Sequence, residues 1–295
     1  MIKKILCAID RSPSSLQAFG YAIALARWQS ARLNLLEVIE EAPPPGVSRA
    51  PRIGVPAETR TALERDLRQI LTARRASDVK VKIFMRKGNV VQEILAQAKT
   101  SRSDLIVIGS HGRGGVQRLV LGSVAEKVLR LATCPVLTVR RGVRRVRRSR
   151  SPFETILCPT DFSTAANRAV AYAKRLAQEA DAKLILMSAV EWPFGEAVMS
   201  GALAKLRKSI ESNARETLTR LLPRSASHGP PAQAIVAIGK ASDAIVNVAR
   251  TRSVDLIVMG VSGRGALDVA LLGSTTHHVI REGTWPVLTV RTTNR

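Results

Sequence analysis

A chain of 295 residues with an apolar fraction of 45% is long enough for two domains of ordinary size, each with its own core, and needs neither disulfide nor metal to hold it. Its 46 lysines and arginines against 23 acidic residues, a formal charge of +23, attract polyanions without regard to sequence and say nothing about fold. Three cysteines without a C-x-x-C pair (Cys7, Cys134 and Cys158, all within apolar segments) read as reduced core thiols rather than a disulfide scaffold. No apolar run approaches the ~20 residues of a membrane span. The N-terminal apolar stretch meets Asp10 too soon for a signal-peptide core, so a cytoplasmic protein is expected.

In chain order the first half reads strand 2–9, helix 13–30, strand 32–39, helix 57–76, strand 79–86, helix 89–101, strand 104–109, helix 116–132 and strand 135–140. The same series then returns. Ile5-Leu6-Cys7 recurs as Ile156-Leu157-Cys158, Asp10 as Asp161, Gly88 as Gly239, Asp104 as Asp255, Gly109 as Gly260, Gly122 as Gly273 and Pro135 as Pro286, each pair 151 positions apart. A constant offset means that one domain was duplicated with its element lengths kept. Runs such as Leu105-Ile106-Val107-Ile108 and Leu256-Ile257-Val258-Met259 do not alternate with polar residues, as expected of strands covered by helices on both faces.

The expected fold is therefore two tandem doubly wound, Rossmann-like α/β domains, each a five-stranded parallel sheet of order 3-2-1-4-5 with helices on both faces. The first spans 1–140 and the second 153–295. Residues 141–152 form a linker with six arginines, no acid and no apolar periodicity. Charge divides as +12, +6 and +5 over these three stretches, so basicity gathers in the first domain and the linker.

An open α/β sheet takes its ligand at the carboxyl ends of the strands where strand order reverses, here between the first and fourth strands. Glycines stand at that place. Gly109-Ser110-His111-Gly112 follows the fourth strand, and after nine intervening residues Gly122-Ser123 opens a helix; the second copy gives Gly260-Val261-Ser262-Gly263 and then, at the same spacing, Gly273-Ser274. Glycine lets the backbone approach a ligand closely, and the amides of a helix start favour an anion, so the spacing G-x-x-G-x9-G-S suits a phosphate chain. The common G-x-x-x-x-G-K-S/T phosphate loop is absent from the sequence.

With these glycines, the aspartate after the first strand and the closing Pro-Val-Leu-Thr-Val, both copies resemble the universal stress protein family, in the subgroup similar to its ATP-binding members. The resemblance covers both copies nearly end to end; Cys158-Pro159-Thr160-Asp161-Phe162-Ser163 is nearer the family's first-strand pattern than Cys7-Ala8-Ile9-Asp10-Arg11-Ser12. It implies that ATP, with Mg²⁺, is held at the adenosine end by Asp10 and the backbone of Val38, and along the phosphates by Gly109, Gly112, Arg113, Gly122, Ser123 and Val124. The second copy would use Asp161, Ala189, Gly260, Gly263, Arg264, Gly273, Ser274 and Thr275. It also implies a stress-response or regulatory protein rather than an enzyme, with slow ATP hydrolysis at most. The two copies are expected to meet through their fifth strands as a pseudo-twofold pair, as single-domain members dimerise, and a homodimer of chains is compatible with this.

Other roles compete for the same residues. Asp10 and Asp161 precede helix starts, where the helix dipole stabilises an acid without a ligand. Ser123 and Glu126 match an S-x-x-E capping box, although His277 breaks the match in the second copy, where Gly-Ser is retained. Arg113 and Arg264 are as well read as solvated loop residues as phosphate partners. His111 aligns with Ser262, and the adjacent His277 and His278 diverge on a helix, so no zinc site is expected. Asp104 and Asp255 read as turn residues remote from the crevice. The charge supports a second reading, non-specific association with nucleic acid, but aromatic residues are only 3% and none interleaves with the linker arginines to offer a stacking platform.

Overall fold

A computed structural model describes residues 2–40, 57–74, 76–112, 121–143, 151–192, 201–223, 230–261 and 272–291. The chain forms two compact units, 1–152 and 153–295.

In the first unit β1 (Lys4–Ile9), α1 (Pro13–Trp28), β2 (Arg32–Glu40), α2 (Ala57–Ala73), β3 (Val81–Gly88), α3 (Val90–Ser101), β4 (Leu105–Gly109), α4 (Ser123–Leu131) and β5 (Val136–Val139) alternate along the chain. Their sheet is parallel with strand order β3-β2-β1-β4-β5. The second unit repeats it with β6 (Thr155–Pro159), α5 (Thr164–Ala180), β7 (Lys183–Val190), α6 (Gly201–Leu221), β8 (Ala232–Ile238), α7 (Ala241–Thr251), β9 (Leu256–Gly260), α8 (Ser274–Glu282) and β10 (Val287–Val290), in order β8-β7-β6-β9-β10. This is the doubly wound fold anticipated from the alternation of apolar runs and helical segments.

Burial explains why the central strands lack alternation. Ile5, Leu6, Cys7, Leu33, Leu35, Leu36, Ile106 and Val107 are fully buried, and Ile156, Leu157, Cys158, Leu186, Leu256 and Ile257 repeat the pattern. Both faces of each strand therefore lie under helices: α1 packs across β1 and β4, with α2 beside it where Gly20 meets Arg74, and α3 packs on β2 and β3 and against α4. Of the three thiols only Cys7 and Cys158 are core residues; Cys134, in the turn before β5, is half-buried, which corrects the sequence expectation for it. Val143, within the expected linker, is buried, and its carbonyl accepts a hydrogen bond from Gln17 on α1. The rest of the arginine stretch, 144–150, lies outside the described residues.

Candidate functional site

The register of the sheet decides which residues share its carboxyl edge. Ile9 on β1 pairs with Glu37 on β2, so the next step along each strand brings Asp10 level with Val38. In the second unit Pro159 pairs with Met187, and two steps on Asp161 stands level with Ala189. Cys7 pairs with Val107, which brings Gly109 to the height of Ile9. The aspartate, the β2 backbone position and the first loop glycine thus meet at one edge, where the strand order reverses.

Local hydrogen bonds shape the turn that follows β1. Asp10 Oδ1 accepts from the Ser12 amide at 2.9 Å, and Arg11 between them takes φ +65°. Ser12 is the N-cap of α1, its hydroxyl accepting from the Ser15 amide at 3.2 Å, and Pro13 occupies the first turn. The second unit builds the same turn from Asp161 Oδ1 and the Ser163 amide (3.0 Å), Phe162 at φ +65° and the Ser163 cap on Ala166. One carboxylate oxygen of each aspartate is thereby committed to the turn. The other oxygen of Asp10 reaches across to the β4 loop, where a Cβ on Gly112 would come within 3.1 Å of Oδ2.

That loop is fastened from below. The carbonyl of His111 accepts from the hydroxyls of Ser14 and Ser12, the latter at 3.3 Å, and Ser110 Oγ lies 2.7 Å from His111 Nδ1. Gly109 is required by packing: a Cβ there would stand 2.7 Å from the Ser15 amide nitrogen and 2.9 Å from the Ser14 carbonyl carbon. Gly260 meets the backbone of Ala165 and Ala166 at 3.1 to 3.3 Å. Gly122 donates its amide to the Ser110 carbonyl at 2.8 Å, and a Cβ on it would meet that oxygen at 3.1 Å. Arg113, Gly263 and Arg264 lie outside the described residues.

Helix α4 differs from the capping-box expectation. Its N-cap is Gly122, without a side-chain cap, and Ser123 is the first helical residue; Gly273 and Ser274 stand in the same places on α8. Gly122 takes the cap because its amide is already bound back to Ser110, which fixes where the helix begins. The first helical bonds run from Glu126 to Gly122 and from His277 to Gly273, both 2.9 Å, so the amides of Ser123 and Val124, and of Ser274 and Thr275, precede the helical ladder. On α8, Thr276 also ties its hydroxyl to the Gly260 carbonyl at 3.0 Å.

The units differ where β2 and β7 end. In the first, Arg11 Nη2 pairs with Glu37 Oε2 and Nη1 with Asp66 Oδ2, each at 3.0 Å, and Glu37 is only 3% exposed. Phe162, Ser188 and Thr217 hold those positions in the second unit. Sequence reasoning missed this cluster, although a glutamate inside the apolar run of β2 was a visible signal. The aspartates at the opposite edge have a firmer role than turn residues: Asp104 Oδ2 accepts from the amides of Lys3 and Lys4, both 2.9 Å, and Asp255 Oδ2 from those of Glu154 and Thr155 at 3.0 and 2.9 Å. His278 Nε2 turns to Asp243 on α7 at 3.6 Å. Among the described residues no group of three His, Cys, Asp or Glu side chains could hold a metal ion, and no helix is long and apolar enough to cross a membrane.

Comparison with known proteins places this architecture. The model of the universal stress protein family matches twice, over residues 1–140 and 152–291. Universal stress protein YxiE of Bacillus subtilis is 37% identical over 148 residues, which is 48% of this chain and 100% of that protein. A universal stress protein of Mycolicibacterium smegmatis is 25% identical over 292 residues, covering 97% of this chain and 96% of the relative. The crystal structure of a universal stress protein from Archaeoglobus fulgidus superposes with a TM-score of 0.67 at 22% identity, over 98% of each chain, and so shares the fold.

Proposed function

The chain belongs to the universal stress protein family, a family of stress-response proteins, and from that premise we propose that it binds ATP in the crevice between β1 and β4 of each unit and acts through occupancy rather than turnover. The observation that carries this reading is the approach of Asp10 Oδ2 to Gly112, which joins an acceptor for a ribose or base donor to a backbone stretch that lacks a Cβ. The donor set fits an adenosine triphosphate. Asp10 and the Val38 backbone would take the adenosine, and the amides at Gly112, Ser123 and Val124, with the Ser123 hydroxyl, would take the phosphates. Asp161, Ala189, Gly260, Gly273, Ser274 and Thr275 would do so in the second unit, together with Gly263; Arg113 and Arg264 would balance phosphate charge from the loops.

Mg²⁺ would arrive with the triphosphate and screen its charge. Asp10 is committed through Oδ1 to the Ser12 amide, which makes it a positioning group for the turn rather than a base for water, so slow hydrolysis at most is expected. Isothermal titration with Mg-ATP tests the reading on wild type and on Gly112→Val combined with Gly263→Val. Binding in the wild type that the double variant loses is the expected result; a wild type that takes up no ATP at millimolar concentration overturns it.

A further inference from the structure

The turns after β1 and β6 share a shape but are held by different means. In the second unit the Phe162 amide donates to Thr160 Oγ1 at 3.0 Å, and the Phe162 carbonyl accepts from Asn167 Nδ2 at 3.4 Å, so neighbours in sequence fix the residue that takes φ +65°. Ile9 and Leu16 stand at those two positions in the first unit and have no polar side-chain atom to offer. There the turn residue holds itself in place through its own side chain. Arg11 Nη2 reaches Glu37 on β2 and Nη1 reaches Asp66 on α2, each at 3.0 Å, while its Nε is buried and donates to nothing among the described residues.

The two halves of that bridge differ in strength. Glu37 is buried, and a charge pair at that depth is firm because the carboxylate alone would be left uncompensated. Asp66 is half exposed, and an ion pair in water contributes little. A left-handed φ is unfavourable for a residue with a Cβ, and the orphaned Nε adds to that cost, so the link to Asp66 stands near balance and a modest bias moves it. The helix α2 depends on such links. Leu67, next to Asp66, is the one buried side chain among its described residues, and a helix anchored so sparsely opens locally at low cost. In the second unit Leu218 is likewise the buried anchor of α6, but neither Thr217 nor Phe162 carries a charge for the same bridge.

We propose that Arg11 is a positioning residue that transmits occupancy of the first crevice to α2, so that nucleotide tightens α2 in the first unit and leaves α6 unchanged in the second. The inference rests on the reading that ATP enters the crevice against Asp10. Asp10 and Arg11 are consecutive, Asp10 Oδ1 already holds the turn through the Ser12 amide, and a ligand on the other carboxylate oxygen restrains the same turn from its open side. A turn so restrained keeps Arg11 aimed at Asp66. The bias is reciprocal: what ATP adds to the docking of α2, docked α2 returns to ATP. In the second unit Thr160 and Asn167 fix the turn from within, and its state has no charged route to α6. One crevice is coupled to a surface helix and its copy is not.

The test is hydrogen–deuterium exchange of the full chain, read by mass spectrometry in peptides from 57–73 and 201–221, without ATP and with Mg-ATP at a concentration that calorimetry finds saturating. ATP is expected to slow exchange in 57–73 at least about fivefold in the wild type and to leave 201–221 unchanged. Asp66→Thr installs the residue that the second unit has at this half-exposed position. It is expected to bind ATP at both sites yet lose the protection of 57–73, and, with Gly263→Val closing the second site, to weaken ATP at the first by the same factor. Arg11→Phe/Glu37→Ser cuts the bridge from its other end and should lose the protection too, as should Gly112→Val with the second site still filled. A wild type that takes up no ATP overturns the reading of the crevice and this inference with it. A wild type that binds ATP overturns the inference alone if 57–73 gains no protection, if 201–221 gains as much, or if Asp66→Thr keeps the protection, which would mark direct contact between ATP and α2.

Discussion

The carboxylate of Asp10 faces Gly112 so closely that a Cβ on the glycine would come within 3.1 Å of Oδ2, although the two residues belong to different loops. The neighbour is the end of a side chain, so Gly112→Val can be accommodated by a small movement of Asp10, while its two methyl groups fill the space that the phosphates would need. In the first unit this variant is expected to lower ATP affinity at least tenfold, a loss of about 1.4 kcal/mol or more, with little change in thermal midpoint. Calorimetric titration should then report one site where the wild type reports two, and Asp161→Ala on the same background should weaken the remaining one.

Gly109 should behave in the opposite way, because a Cβ there meets backbone at 2.7 and 2.9 Å rather than a movable side chain. Gly109→Ala forces α1 away from β4 and is expected to cost ~1–3 kcal/mol in urea unfolding. Gly260→Ala, whose nearest atoms stand at 3.1 to 3.3 Å, should cost less. A larger loss at Gly260 than at Gly109 would contradict the packing described.

Burial pushes the Cys134 thiol up to about 11 and those of Cys7 and Cys158 higher still. Since the thiolate is the nucleophile, native protein at pH 8 should label slowly with iodoacetamide at Cys134, the rate rising about tenfold per pH unit toward 11, while Cys7 and Cys158 label only on unfolding. The sign for stability follows: a thiol pKa raised by folding favours the native state below its unfolded value, and that contribution is lost as pH climbs from about 9 through about 11. Mass spectrometry of the labelled peptides reads the first effect, and urea midpoints at pH 8 and pH 10 the second.

Much of this was legible in the sequence because it is written in short range. Uninterrupted runs such as Leu105 to Ile108 announce doubly covered strands, and a constant offset of 151 announces the second copy. Contacts between distant segments were not legible. Asp104 looked like a turn residue, yet it binds amides 100 and 101 positions away. Ser123 looked like a helix cap, but the amide of Gly122 is bound back to Ser110, and that long-range bond moves the cap one residue earlier.

The duplication supplies its own control for the cluster at Arg11. Glu37 is buried at 3% exposure with Arg11 against it, so Arg11→Ala removes a cation from beside a carboxylate that water hardly reaches. Removing one partner of such a pair costs several kcal/mol when both are buried; Arg11 is 29% exposed here, and about 2 kcal/mol is expected. The second unit fills the same places with Phe162 and Ser188, an uncharged pair on the same turn and the same φ of +65°. Arg11→Phe combined with Glu37→Ser should therefore recover most of the loss, and a double-mutant cycle in urea should show coupling well above additivity. If the combined variant is as unstable as the sum of its parts, the two turns are not interchangeable. Recovery of stability also sharpens the view of the crevice, because ATP titration of that variant would then compare the two units with matched turns and isolate what Asp10 and Asp161 themselves contribute.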